Sequence, residues 1–171
     1  MMRRDPLANP EELIRRLYSY VAYAIGDGPD AEDVTSEAFE RAIRYRKTYD
    51  PAKGSPATWL VGIARRCIAD RARPTAGADP LEHDRGEDVH EGRIETLAVR
   101  AAVARLPERD RELVALRYGA DLTARQIAEL LDLQTNAVEV ALHRLHRKLR
   151  DELADDFGPN PRKGLGPATG I

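Results

Sequence analysis

TARQIAELLDLQTNAVEVALHRLHRKLR, residues 123–150, decides how this chain folds. Thr123 followed three residues later by Gln126 is a capping box, which starts a helix. Ile127, Leu130 and Leu131 then share one face. Asp132–Gln134 leaves room for only a tight turn, and Thr135 can cap a second helix. In that helix Val138, Leu142, Leu145 and Leu149 recur in steps of four, three and four and form one apolar stripe. The opposite side carries Asn136, Glu139, Val140, His143, Arg144, Arg147 and Arg150. Two helices at this spacing suit a helix-turn-helix, in which one helix braces and the other enters the DNA major groove.

Upstream, helical periodicity continues in two blocks. In the first, Leu13, Leu17, Val21 and Ala24 line a helix over 11–25, which Gly26-Asp27-Gly28-Pro29 ends. Asp30 is placed to cap a second helix that runs through Val34 and Ala38 toward Arg44. Asp50-Pro51 and Gly54 make 45–56 a loop. Ser55-Pro56 then provides an N-cap with proline at the first helical position, for a helix from Trp59 to about Arg73. The second block begins near Arg93 with a helix bearing Ile94, Leu97, Ala101 and Leu106. Pro107 opens another, with Leu113, Val114, Leu116 and Tyr118 inward and Gly119 at its stop.

The expected architecture is therefore all-α. Two small helical domains, 10–73 and 93–153, are joined by a flexible acidic linker over 74–92, and the second contains the helix-turn-helix. The linker holds Asp79, Glu82, Asp84, Glu87, Asp88 and Glu91 against one arginine, Arg85, and too little apolar surface to fold alone. The tail over 154–171 is rich in Gly and Pro and reads as disordered.

Composition narrows the function. Aromatic residues make up 5% of the 171, so the core must be built from aliphatic side chains. The formal net charge of −2 argues mildly against a protein that grips nucleic acid unaided. Cys67 is the single cysteine, so no intrachain disulfide can form, and a reducing compartment fits. No apolar run approaches the roughly 20 residues of a membrane span, and the N-terminus lacks a signal-peptide core. A cytoplasmic, non-membrane protein is expected. No nucleophile triad, phosphate loop or catalytic carboxylate pair stands out, so no enzyme and no cofactor is expected. His143 and His146 lie three apart on one helix without a third ligand nearby, and no metal is assigned to them.

The first block adds DAEDVTSEAF at 30–39, YDPAKGSPATWL at 49–60 and WLVGIARRCIADRAR at 59–73. The second adds LPERDRELVALRY at 106–118. Together with 123–150, these segments resemble the extracytoplasmic-function (ECF) sigma factors of bacterial RNA polymerase in both order and spacing. The resemblance implies a promoter-specificity subunit that directs promoter recognition, DNA melting and transcription initiation. It implies core polymerase as a partner, through the clamp helices and flap of the large subunits, together with promoter DNA. It leaves an anti-sigma factor open as a further partner.

It also implies site residues. Asp30, Glu32, Asp33 and Glu37 match the acidic helix that docks on core polymerase, where carboxylates can take charge-assisted hydrogen bonds from arginines. Lys53, Gly54, Ser55, Thr58, Arg65, Arg66 and Arg71 match the part that reads and opens the −10 element, where a base is taken from the stack and arginines hold phosphates. Trp59, alone at a helix start, is assigned to the core rather than to base stacking. Many members carry lysine and arginine near the start of the recognition helix, where this chain has Glu139 and Ala141. Asn136, Val140 and His143 are therefore the candidates for −35 base edges, and Arg144, Arg147 and Lys148 for its phosphates. A dimeric helix-turn-helix regulator working without polymerase is the alternative. It leaves the helices at 30–39 and 59–73 without a task.

Overall fold

The computed structural model describes residues 5–73 and 91–157. The described residues are helical and include no strand. Helices α1 (Pro10–Ile25), α2 (Pro29–Tyr45) and α3 (Pro56–Ala72) form the first block. The second comprises α4 (Glu91–Ala104), α5 (Glu108–Val114), a π-turn (Ala115–Gly119), α6 (Ala124–Leu131) and α7 (Thr135–Phe157). The expected linker lies outside the described residues up to 90, and its last two residues belong to α4. Of the expected tail, 154–157 close α7 and the rest lies outside.

Local signals explain most helix ends. Ser55 caps α3 by accepting from the Thr58 N–H at 3.2 Å, with Pro56 next. Thr123 and Gln126 form the reciprocal capping box of α6, at 3.2 and 2.9 Å. Asp30 does not cap α2. The helix starts one residue earlier, at Pro29 behind Gly28, and Asp30 sits in its first turn, where its charge suits the helix dipole. Likewise Thr135 is the first residue of α7 rather than its cap. α6 ends at Asp132, in the left-handed region at φ 55°, and the Leu133 N–H reaches the Ala128 carbonyl at 2.9 Å. This Schellman-type turn makes the tight corner of the helix-turn-helix.

The apolar stripes close into one core that runs through both blocks. α1 contributes Leu13, Leu17, Tyr20 and Val21, and α3 contributes Leu60, Val61, Ala64 and Cys67. From the second block come Val103, Leu106, Leu116, Leu122, Ile127, Val138 and Leu145. Burying each large aliphatic side chain contributes about 1.5–3 kcal/mol. Two inward assignments fail. Leu97 is 53% exposed and Tyr118 51% exposed. In α4 the buried face is Ala102 and Val103, one position out of phase with Ala101, and Leu106 is buried just past the helix end. At Tyr118 the widened π-turn rotates the chain away from α-helical phase, so a side chain counted inward on a 3.6-residue period turns to solvent.

Candidate nucleic-acid and polymerase interface

Between α2 and α3 the chain makes two single 3-10 turns, Arg46–Thr48 and Pro51–Lys53. Asp50 caps the second by accepting from the Ala52 N–H at 3.0 Å. Gly54 follows at φ 144°, a conformation that a side chain would strain. The Tyr49 hydroxyl donates to the Gly54 carbonyl at 2.9 Å and pins the loop to its own start. Tyr49 also meets Trp59 edge to face. Trp59 is half-buried against the core and also lines a surface concavity of about 310 Å³ with Thr48, Lys53, Gly54, Thr58 and Arg66. It thus serves packing while keeping one side open.

The −10 candidates divide by environment. Lys53 and Arg66 are exposed beside this concavity. Thr58 is buried and its hydroxyl lies 2.9 Å from Ser55 Oγ, so that pair is engaged within the helix cap. Arg65 Nε donates to Glu112 of α5 at 2.7 Å. Arg71 lies 3.6 Å from Glu37 and 4.0 Å from Asp33.

Those last contacts join two predicted sites. Of the acidic set on α2, Asp30, Glu32 and Asp33 are exposed and Glu37 is half-buried. Arg41 bridges Glu37 at 2.6 Å and Asp70 at 3.2 Å. Glu37 therefore sits between two guanidiniums in a charge network that ties α2 to α3, while Glu32 faces outward.

On α7, Asn136, Val140, His143 and Arg147 follow one another in steps of four, three and four, and all are exposed. They lie opposite buried Val138 and Leu145. Val140, 61% exposed, is an apolar side chain held out to solvent on that face. Arg144 lies 3.8 Å from Asp110 and Lys148 3.9 Å from Glu152, both long, weak pairs near the surface.

Residues 11–76 match the Sigma-70 region 2 family and residues 96–149 match Sigma-70, region 4. The chain belongs to the ECF sigma factors. Its first region holds the loop and acidic helix just described, and its second holds the helix-turn-helix. Among its relatives, the ECF sigma factor BldN of Streptomyces coelicolor is 32% identical over 151 residues, covering 82% of this chain and 57% of that protein. SigW of Bacillus subtilis is 26% identical over 159 residues, covering 82% of this chain and 84% of its own length. This ECF chain thus spans little more than half of BldN. In fold it is similar to the sigma factor RpoE of Bartonella quintana, solved with the anti-sigma factor NepR, at a TM-score of 0.62 and 13% identity over 82% of this chain and 91% of that one. It is also similar to CnrH, solved with the cytosolic domain of CnrY, at a TM-score of 0.59 and 23% identity over 86% of this chain and 83% of that one.

Sequence reasoning missed how the two regions of this sigma factor meet. Glu112 on Arg65, Gln126 on Ser55 and Arg16 on the carbonyls of Ala120 and Asp121 all cross between the blocks. Their partners lie 47 to 105 residues apart in sequence, and no local pattern announces them.

Proposed function

We propose that the chain is a promoter-specificity subunit that binds core RNA polymerase, reads the −10 and −35 elements and helps open the DNA. The observation that carries this reading is the exposed α7 stripe of Asn136, Val140, His143 and Arg147, standing in a chain whose other half is a sigma region 2. The stripe has the side chains for duplex reading: an amide for base edges, an apolar contact and a guanidinium for phosphate. Lys53, Ser55, Arg65 and Arg66, around a glycine-containing loop, supply donors and positive charge for a displaced single strand. Glu32, with Asp30, Asp33 and Glu37 on the same helix, offers carboxylates to basic helices of core polymerase. The chain's task is binding, with catalysis left to the polymerase. A net charge of −2 fits a subunit whose DNA affinity is shared with its partner.

Among the described residues no helix is long and apolar enough to cross a membrane, and the site of action is the cytoplasm. An anti-sigma factor is a natural further partner, since RpoE and the anti-sigma factor NepR form a complex on a similar fold. Adding the full chain to core polymerase should produce transcripts from promoter DNA that core alone ignores. If no fragment of a genomic library responds, the reading fails. A symmetric complex with a palindromic site in the absence of polymerase would indicate the dimeric regulator instead.

A further inference from the structure

We propose that the seam between α1 and the π-turn is a binding site for a nucleoside phosphate. It uses none of the residues assigned above to promoter DNA or core polymerase, so it is independent of that reading.

The π-turn builds the site. Its Ala120 N–H reaches back to the Ala115 carbonyl at 2.9 Å and the Leu122 N–H to the Leu116 carbonyl at 3.1 Å. Widened turns of this kind recur at functional sites. Gly119 seats the turn on α1, where a Cβ would stand 2.7 Å from Tyr20 Cα and 2.9 Å from the Ser19 carbonyl. Only a hydrogen fits. This close approach sets Arg117 and Tyr118 beside Arg15, Arg16 and Ser19 of α1. Together with Asp121 they line a surface cavity of about 280 Å³. Small-molecule sites run from roughly 300 to 1,000 Å³, so the ligand is a small one.

Charge decides its class. Arg15 has its own counter-charge in Glu12 at 2.7 Å, helped by Asp121. Arg16 and Arg117 have no carboxylate partner among the described residues. Neutral main-chain carbonyls hold them instead. Arg16 Nε and Nη2 donate to Ala120 at 2.9 and 2.7 Å, and Nη2 donates to Asp121 at 3.0 Å. Arg117 Nη1 donates to Leu122 at 2.9 Å. A carbonyl fixes a guanidinium without cancelling its charge. Both side chains belong to half-buried residues, where like charges repel more strongly than in water. Nη1 of Arg16 and Nε and Nη2 of Arg117 keep their hydrogens for another acceptor. A phosphate supplies both the negative charge and the oxygens.

The rim adds an aromatic ring. Tyr118, turned out of the core by the π-turn, lines the cavity and is half exposed. A base can stack on it while the phosphate sits on the arginines. An inorganic anion would leave the ring unused, and a DNA duplex has no unstacked base to offer it.

The test is calorimetric titration of the full chain, at fixed ionic strength, with GTP, ATP, guanosine and pyrophosphate. At least one of the two nucleotides should bind one per chain, pyrophosphate more weakly and guanosine not measurably. Arg117→Gln should weaken nucleotide and pyrophosphate alike by about tenfold or more. Tyr118→Ala, at an exposed position, should weaken the nucleotide about tenfold and leave pyrophosphate unchanged, whereas Tyr118→Phe should keep the parental affinity. If Arg117→Gln fails to fold, the two Tyr118 variants decide. No saturable binding, equal affinity for nucleotide and pyrophosphate, or an affinity indifferent to Tyr118→Ala would overturn the proposal and leave the arginines a clasp on the π-turn alone. None of these readouts involves polymerase, so their failure leaves the sigma reading untouched.

Discussion

The Tyr49 and Trp59 rings meet edge to face with centroids 5.5 Å apart and planes at 60°, which locks the loop between α2 and α3 to the first turn of α3. Offset or edge contacts of this kind contribute about 0.5–1.5 kcal/mol beyond burial. The Tyr49 hydroxyl adds its bond to the Gly54 carbonyl. Tyr49→Phe keeps the ring contact and removes that bond. It should lower stability by about 1 kcal/mol and reduce strand opening more than duplex binding. Denaturant melts and permanganate footprinting of the −10 region check the two parts.

Thr123→Ala removes one half of the capping box that starts α6. The expected loss is about 1 kcal/mol, or a Tm lower by roughly 2–4 °C for a chain of this size. Binding to −35 duplex should weaken with it, because α6 braces α7. A melt and a duplex titration on the same preparation test both.

Burial pushes the Tyr20 phenol well above its usual range, the Glu112 carboxylate adds to this, and Arg65 opposes it. Burial likewise raises the Cys67 thiol. Both groups are held neutral in the fold while the unfolded chain can ionise them. Their contribution is therefore fully present below the unfolded pKa values, 9.0 for the thiol and 10.0 for the phenol, and is lost as pH rises beyond them. Denaturation midpoints should fall steadily from about pH 9 upward, and Tyr20→Phe should flatten the upper part of that fall. An unaltered alkaline slope in Tyr20→Phe would show that the phenol is not its source.

Glu32 and Glu37 share a helix and should behave differently. Glu32→Lys, at an exposed position, should weaken core polymerase binding and leave the folding stability within about 0.5 kcal/mol of the parent. Glu37→Lys places a third positive charge between Arg41 and Arg71, so it should cost both binding and stability. Polymerase pull-down with a parallel melt separates the two cases.

Arg147→Ala should weaken promoter binding about equally across sequences and lower the salt slope of log K by about one. Val140→Ala should instead change which −35 sequences bind, with the salt slope kept. Titrations at several salt concentrations on two −35 variants resolve the pair.

What the sequence made readable was local. The Ser55-Pro56 cap, the Thr123–Gln126 box and the stripe of Val138 and Leu145 each depend on residues within a turn or two, and the structure places them as expected. The exposure of Asn136, Val140, His143 and Arg147 was legible because it follows from the apolar side of an amphipathic helix. The π-turn was not, since nothing in Ala115–Gly119 forbids an ordinary helix, and its widening threw Tyr118 outward. Gly119 was read as a helix stop, whereas its lack of a side chain matters for a contact with α1, far away in sequence. Arg65 and Ser55 were named for DNA without sight of the partners that the second block brings to them.

The seat of Gly119 also sets how this chain can change over generations. The atoms that an added methyl would strike at Tyr20 and Ser19 are main-chain atoms. No replacement of either side chain can move them out of the way. A genetic screen started from Gly119→Ala should therefore recover true revertants, or changes elsewhere that shift a whole helix, and no compensating partner at position 19 or 20. Adaptation at this seam runs along a one-way street: the glycine is easy to lose and can be regained only as itself.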